Sequence, residues 1–273
     1  MPKCFQLLAI VAVILVFSAP LFAQPIWLAQ NEGSFLGFEA LKPTFDNDDN
    51  LTFATSAMFV SGRFFIGDAI ALTGELPIAH AGVDNGGSET MFGNPYIGLE
   101  LRKADGSFAI ELGARLPLAA DDKLAAATIG FFGDFDRLEA FLPDIVTFVG
   151  RLNFQTVNRS NIILRLRGGP TLMANADNTL SNLFEGDNSE LFIDYSAQVG
   201  IQGTLSILGG ITGRYLATED GSFADNSVHQ LGASAVLDLG TLNPGIQLRV
   251  PIDDDLSDFF NYAVGLSLAV EIQ

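Results

Sequence analysis

The sequence predicts an all-β fold, a transmembrane antiparallel up-and-down β-barrel of about twelve strands. Three observations predict it. Apolar and polar residues alternate with a period of two through most of the chain. The connections between the alternating segments sort into short turns and longer acidic loops, and full charges fall on the strand faces opposite the leucines. An all-β cylinder with lipid outside and water inside accounts for all three.

The first element is a predicted signal peptide over residues 1–23, which leaves residues 24–273 as the barrel. Lys3 precedes an apolar run from Phe5 to Phe17, Pro20 breaks that run, and Ala23 is a small residue at the expected cleavage point. A retained membrane anchor is the less favoured alternative, because the run is shorter than the roughly 20 residues that span a bilayer. Cys4, the single cysteine, is removed with this segment, so we expect no disulfide or thiol chemistry.

The composition excludes two classes of protein. Hydrophobic residues make up 48% of the 273 residues, which argues against disorder. The formal net charge of −18 argues against nucleic acid as a partner, since phosphate contacts need lysine and arginine. High apolar content and high acidity together require that charged and apolar side chains occupy separate surfaces.

The alternating segments follow one another from Gly33 to the end of the chain, and most are near the ~9–11 residues that a tilted strand needs to cross a bilayer. We predict twelve of them. They are Phe35–Thr44, Leu51–Gly62, Asp68–Ala79, Asn94–Lys103, Phe108–Leu118, Ile145–Val157, Asn161–Ala174, Leu191–Gly203, Leu205–Leu216, Val228–Leu239, Pro244–Ile252 and Asn261–Ile272.

The connections alternate in kind along the chain. Even-numbered connections are short, as in ADGS and GTLN, whereas odd-numbered ones are mostly longer and acidic, as in AGVDNGGSETMFG and the stretch 119–144. An up-and-down barrel produces this parity, with turns at one rim and loops at the other. A Greek-key sandwich is not expected to sort its loops in this way.

The alternation also decides which face of each strand meets lipid. In Phe108–Leu118, Ile110 and Leu112 lie on one face, with Glu111 and Arg115 on the other. A soluble sandwich or a lipocalin-like binder would bury the leucines. Twelve strands, however, enclose more space than apolar side chains fill, since about eight already give a packed interior. The leucines are therefore predicted to face lipid and the charges to face the lumen.

The predicted lumen-lining set consists of charged residues in the middle or at the ends of these strands. They are Glu39, Glu75, Glu100, Glu111, Arg115, Arg151, Arg165, Arg167, Asp194, Arg214, Asp238, Arg249 and Glu271. One interpretation is a transverse field across a wet lumen, which orients polar solutes. The other is cross-strand ion pairing that stabilises and closes a narrow lumen. The sequence leaves both open.

The long connection contains an amphipathic stretch, Leu124–Leu142, with Phe131, Phe135, Leu138 and Leu142 at helical spacing. Two hypotheses follow: a constriction or lid that folds into the mouth, or a short helix whose apolar side packs on the outer rim or in the outer leaflet. The sequence favours the rim packing.

No motif indicates an enzyme, a metal or a cofactor. The acidic runs Asp46/Asp48/Asp49 and Asp253/Asp254/Asp255 lack the spacing of a calcium loop and are predicted to be solvated. His80 and His229 have no recognisable nucleophile motif beside them. The chain contains no HExxH, P-loop or dinucleotide fingerprint.

Four stretches carry a resemblance to a known group: LTGELPIAHAG, FGNPYIGLEL, FAIELGARLPLA and LEAFLPD. They resemble the bacterial outer-membrane β-barrels, most of all the porin-like transporter barrels associated with aromatic-degradation gene clusters. The resemblance implies the outer membrane of a Gram-negative bacterium. It also implies a passive channel for small solutes, including hydrophobic or aromatic ones, with membrane lipid and solutes as partners. The oligomeric state is left open.

This sequence departs from that pattern in two places. It ends in Ile272-Gln273 rather than an aromatic residue, and it has 23 phenylalanines with only four tyrosines and one tryptophan. The alternative function is a non-conducting surface barrel whose acidic loops bind a partner or stabilise the membrane.

Overall fold

The computed structural model describes residues 33–46, 50–84, 86–103, 106–176 and 189–272, apart from the side chain of Asp255. The predicted signal peptide and part of the first acidic run, Asp48 and Asp49, lie outside the described residues.

The described chain forms a closed antiparallel barrel with twelve strand positions, which confirms the predicted fold class. Thirteen strand segments build it, because β4 and β5 both pair with β3 and share one position. The strands are β1 Ser34–Thr44, β2 Ser56–Phe65, β3 Ile70–Gly82, β4 Ser88–Phe92, β5 Tyr96–Arg102, β6 Phe108–Arg115, β7 Ile145–Val157, β8 Ile162–Asn175, β9 Ser189–Ile201, β10 Leu205–Leu216, β11 Ser227–Leu237, β12 Leu242–Pro251 and β13 Tyr262–Ile272.

Pairing between sequence neighbours runs around the whole cylinder, and β1 closes it against β13 with Ser34 opposite Ile272. Both described ends of the chain therefore lie at one rim. The short connections lie at this same rim, which we call the turn rim, and the long connections lie at the opposite rim, the loop rim. The parity of connections seen in the sequence is thus a direct record of the up-and-down topology.

The sequence predicts a loop where the structure has β4. Residues 93–95 separate β4 from β5, where Pro95 has no N–H to donate. The ladder is interrupted there because the backbone N–H of Asn94 donates to the carbonyl of Ala140, outside the sheet, at 2.6 Å. The second predicted strand also began too early: residues 52–55 form a turn, in which Thr55 Oγ1 donates to the carbonyl of Gly82 at 3.0 Å.

The two faces of the wall differ as the alternation indicates. Leu112 is 59% exposed on the outer face, whereas the neighbouring Glu111 is 3% exposed inside. The same contrast holds on β12, where Leu248 is exposed and Arg249 is buried. Apolar side chains thus form the outer surface and charged side chains fill the interior.

Helices are few and short. The described residues contain α1 (Leu124–Gly133), a 3-10 helix (Phe135–Ala140) and α2 (Asp254–Ser257). None of them has the length and apolar character needed to cross a bilayer. The first two belong to the long connection between β6 and β7.

A charge at mid-height on the outer face should destabilise the barrel much more than one at the rim. Leu266 lies in the middle of β13 and is 58% exposed, and Ile272 lies on the same strand at the turn rim and is 37% exposed. We expect Leu266→Arg to lower the free energy of unfolding in lipid vesicles by about 2–4 kcal/mol, and Ile272→Arg by about 0–1 kcal/mol. Denaturant titration of the refolded variants measures this, and equal losses would contradict the lipid-facing assignment.

Candidate functional site: a charged network inside the barrel

The long connection between β6 and β7 folds into the barrel. We call residues 119–142 the inner segment. Its first helix is α1, whose alanines favour a helix. Neither Gly130 nor Gly133 leaves room for a Cβ atom, the first against the ring of Phe141 and the second against Ala57 of the wall. These glycines let α1 lie directly against Phe141 and β2.

Apolar residues anchor α1 at the loop rim. Phe132 packs against Phe45 at 5.7 Å and against Phe260 at 5.6 Å between ring centroids. Deeper in the barrel, Phe141 packs edge-on against Phe59 at 5.6 Å. This contact belongs to an apolar cluster of the inner face of β1–β4 and the inner segment, formed by Leu41, Ala57, Phe59, Ala79, Met91, Ala119, Ala126, Ala140 and Phe141. The inner segment is therefore held partly by ordinary hydrophobic packing.

The 3-10 helix carries Arg137 into the centre of the lumen. Its guanidinium pairs with three carboxylates: Glu39 at 2.5 Å, Glu75 and Asp134. It also lies 3.6 Å from the centroid of the Phe59 ring. All of these side chains are buried, so the pairing joins the inner segment to β1 and β3 in a medium with little water.

Arg249 of β12 reaches the same carboxylates from the opposite wall. It donates to Asp134 and, at 3.2 Å, to Glu39, while Gln247 Oε1 accepts from it at 3.0 Å. Asp134 belongs to the inner segment rather than to a strand. Burial acts to raise the pKa of Asp134, but Arg137 and Arg249 hold that pKa below its usual value, so it stays ionised at neutral pH.

Glu139 joins the inner segment to two further arginines. Arg115 of β6 donates to Glu139 at 3.4 Å and to Glu75 at 2.7 Å. Arg214 of β10 donates to Glu139 at 3.1 Å and to Asp194 at 2.7 Å. The tip of the inner segment is thus connected through charge to β1, β3, β6, β10 and β12.

Asn94 fastens both ends of the inner segment to the wall. Its side-chain amide donates to the carbonyls of Glu139 at 3.0 Å and Leu142 at 2.7 Å. Its Oδ1 accepts from the backbone N–H groups of Leu118 and Ala119, each at 2.8 Å. We call residues 118–119 and 139–142 the stems of the inner segment; all four hydrogen-bond partners of this buried amide lie in them.

A second set of ion pairs lies on β2 and β5–β9, below the inner segment. Glu111 accepts from Tyr96 at 2.7 Å and from Arg167 at 2.9 Å. Arg63 pairs with Glu100 at 3.3 Å. Arg151 lies 4.0 Å from Asp194, which Thr171 also contacts at 2.6 Å, and Arg165 donates to Gln198 at 3.4 Å.

Most of the predicted lumen-lining residues lie on the inner face. Those with buried side chains there are Glu39, Glu75, Glu100, Glu111, Arg115, Arg151, Arg165, Arg214 and Arg249, and Arg167 and Asp194 are nearly so. Glu271 lies half-buried near the turn rim, where Asn243 contacts it at 3.4 Å. Asp238 is the exception: it lies beyond the end of β11 in an exposed turn and accepts from the backbone of Gly240 at 2.8 Å. Its predicted place on the inner face is wrong, because β11 ends at Leu237.

The favoured hypothesis, in which the apolar side of Leu124–Leu142 packs on the outer rim or in the outer leaflet, needs correction. Leu138 is buried, and Leu142 is half-buried at the end of the inner segment. Phe131 and Phe135 pack on each other at 5.5 Å, half-buried near the loop rim. Hydrophobic spacing did not reveal the interior placement, because the charged positions between the apolar ones carry the contacts with the wall.

The predicted set omitted buried residues that belong to the network, among them Arg63, Asn94, Asp134, Arg137 and Glu139. The inward position of Arg63 could have been predicted, since it continues the inward alternation of Phe59 and Ser61 beyond the predicted strand end. The positions of the three charges of the inner segment could not, because a charge between apolar residues in a loop is equally consistent with solvent.

Open space remains toward the turn rim. A cavity of about 740 Å³ lies there, lined by polar and charged residues that include Asp68, Arg102, Lys103, Ser107 and Gln155. The loop-side half of the lumen, in contrast, is occupied by the inner segment. Among the described residues, no group of three or more His, Cys, Asp or Glu side chains is placed to hold a metal ion.

The fold is similar to solved bacterial outer-membrane barrels. The COG4313 outer membrane channel from Pseudomonas putida F1 aligns with a TM-score of 0.57 and 10% sequence identity, over 92% of this chain and 100% of that one. The NanC porin aligns with a TM-score of 0.50 and 7% identity, over 87% and 100% of the two chains. The translocator domain of the autotransporter NalP from Neisseria meningitidis aligns with a TM-score of 0.50 and 8% identity, over 89% and 90%.

No family model matches the sequence, and no curated protein matches it either. The structural likeness therefore supplies the fold alone: this chain has the antiparallel β-barrel fold of these bacterial outer-membrane proteins, which is the fold that its resemblance to that group implied.

Arg137 should be the residue on which the inner segment depends most. Arg137→Ala leaves Glu39, Glu75 and Asp134 buried without their shared cation, and we expect the free energy of unfolding to fall by about 3–5 kcal/mol. The inner segment should also become accessible to protease at the loop rim.

The matched control is Arg159→Ala, in the exposed turn between β7 and β8, which should change neither quantity. Equal protease resistance in the Arg137 variant and the wild type would contradict the anchoring role of the ion pairs.

Proposed function

We propose that the protein is an outer-membrane channel for small hydrophilic solutes, in which the inner segment forms the constriction. The observation that carries this proposal is the distribution of charge inside the barrel: guanidinium and carboxylate groups line the lumen, and a loop from the wall folds between them. In this proposal the protein resides in the outer membrane after export by its signal peptide. Its turn rim faces the periplasm and its acidic loops face the exterior.

Ion pairs buried inside a barrel have a high desolvation free energy. Replacing such pairs by well-packed apolar side chains is often neutral or stabilising by about 1–4 kcal/mol, so stability alone does not account for the arginines and carboxylates inside. A polar lining is useful where water and solutes pass. Rings of charge select and orient what enters a pore, and the acid–arginine pairs of this lumen are suited to that role.

The turn-side cavity indicates the solute class. Arg102, Lys103 and Gln155 line it, and its volume of about 740 Å³ accommodates a hydrated ion or a small metabolite. This lining favours hydrophilic solutes over the hydrophobic or aromatic ones that the sequence resemblance implied.

The rival function is a non-conducting barrel that stabilises the membrane or presents its loops to a partner. The specific observation in its favour is that Arg137, Glu139 and Asp134 fill the loop-side half of the lumen with buried contacts. The two functions differ in one property: whether the barrel conducts ions while the inner segment is in place.

Conductance of the wild type can be compared with that of a variant without the inner segment, because the strand pairing allows the segment to be removed. Arg115 of β6 and Thr147 of β7 are paired neighbours, so a short Gly-Ser turn can replace residues 119–142 without stretching the wall. We expect the wild type to give small, discrete conductance steps in planar bilayers and the replaced variant to give steps several-fold larger. The reason is that the loop-side lumen would then be open to water.

The matched control places the same linker at residues 218–224, an exposed stretch of the connection between β10 and β11. Its conductance should equal that of the wild type. Both variants must show the heat-dependent shift in gel migration of a folded barrel. Absence of steps from the folded wild type would exclude the channel and support the non-conducting barrel, whatever the replaced variant shows.

A further inference from the structure

A small cavity lies where the inner segment meets β7–β10. Its volume is about 20 Å³. The residues that line it include Asp136, Arg151, Arg167, Asp194, Thr212 and Arg214. A space of roughly 10–15 Å³ on this measure holds about one water-sized sphere. The cavity therefore admits one monatomic or water-sized occupant and excludes oxyanions such as phosphate.

Three buried polar atoms of the lining residues have no hydrogen-bond partner among the described residues. They are Nε of Arg167, Nη1 of Arg214 and Oγ1 of Thr212. The side chain of Arg214 is 5% exposed and Thr212 is 2% exposed, so bulk water does not satisfy them. Buried donors without partners are costly, which indicates a bound group in the cavity.

The charge of the lining favours an anion. Three guanidinium groups, those of Arg151, Arg167 and Arg214, face two carboxylates, those of Asp136 and Asp194. Each carboxylate is already engaged by a cation. Asp194 accepts from Arg214 Nε at 2.7 Å, and Asp136 lies 3.7 Å from Nη1 of Arg249.

The other contacts of these arginines use different nitrogen atoms. Arg167 uses Nη2 for Glu111 at 2.9 Å, and Arg214 uses Nη2 for Glu139 at 3.1 Å. The Nε–H of the first and the Nη1 of the second stay available, together with the hydroxyl of Thr212. A halide accepts several hydrogen bonds at once, whereas a water molecule accepts about two and must also donate its own protons.

We propose that this cavity is a halide site, occupied by a chloride ion that accepts from Arg167, Arg214 and Thr212. The ion accepts from donor atoms that the carboxylates of the network leave without a partner, and it lies between the inner segment and the wall. It also deepens the proposed channel function, on which its role as a selectivity element rests: a monatomic anion fits at the narrow level and larger anions do not.

Bromide provides the direct test, because it replaces chloride and scatters X-rays anomalously. Crystals of the full-length protein soaked in sodium bromide should show an anomalous peak beside Thr212 in the wild type. Thr212→Val keeps the side-chain shape and removes the hydroxyl, so the peak should be lost or strongly reduced.

The matched control is Thr147→Val. Thr147 also has a buried hydroxyl with no partner among the described residues, but it does not line this cavity, so its variant should keep the peak. Should Thr212→Val fail to fold, Arg167→Lys is the second variant. It retains a cation for Glu111 while removing the Nε–H, and the same loss of the peak is expected.

A wild-type map that shows an ordered water and no bromide in the cavity would overturn the proposal, as would a peak unchanged by both variants. Ion selectivity is measured separately, from the reversal potential in bilayers with chloride replaced by gluconate, a larger anion. Chloride should be the more permeant ion in the wild type, and Thr212→Val should reduce the preference; an unchanged preference would remove the selectivity role. Failure of the channel function would appear as absent conductance while the bromide peak persists, so the two failures are distinguishable.

Discussion

Arg137 is enclosed by three carboxylates, and the rest of the interior depends on that arrangement. A guanidinium taken out of water is costly unless several acceptors surround it, and Glu39, Glu75 and Asp134 together meet this requirement. The two glutamates belong to the wall and the aspartate to the inner segment, so the cation can be satisfied only when the loop is inside. Arg249 then shares two of the same carboxylates from the far side of the cylinder. Charge pairing across the lumen thereby fixes one position for a loop that would otherwise have many.

The apolar contacts and the ionic contacts of the inner segment have different roles. Phe141 against Phe59 and Phe132 against Phe260 supply non-directional burial at the loop rim and beneath it. The ion pairs supply direction, because a guanidinium pairs well with a carboxylate only in a narrow range of geometries. A loop held by phenylalanines alone could slide along the wall. Here the Arg137, Glu139 and Asn94 contacts set its depth and orientation.

Much of the fold followed from the sequence because a strand in a membrane barrel has only two faces, each with its own solvent. Alternation in Phe108–Leu118 therefore distinguished Leu112 from Glu111, and the parity of the connections gave the topology. The errors fell where that two-sided rule does not apply. Asp238 sits just past a strand end, where alternation carries no information about facing. β4 was hidden because its pairing with β3 stops after five residues, when Asn94 bonds to the inner segment instead.

The placement of the inner segment could not be predicted from local pattern. Asp134, Arg137 and Glu139 become lumenal only because their partners lie on β1, β3, β6, β10 and β12, up to 115 residues away in the chain. Such long-range charge matching leaves no periodic trace in a single sequence. The wall positions of the network were within reach of prediction, whereas the position of the loop that joins them was not.

Asn94 fastens both stems of the inner segment through one side chain, at the break between β4 and β5. The strand register on either side of that break is set by other pairings, those of β3 with β4 and with β5. A change of length or sequence between the stems therefore need not disturb the strand register of the cylinder, provided that the buried ions of the wall keep their partners. Asn94 sets where the segment leaves and rejoins the wall, and the charges between its ends set the path that it follows.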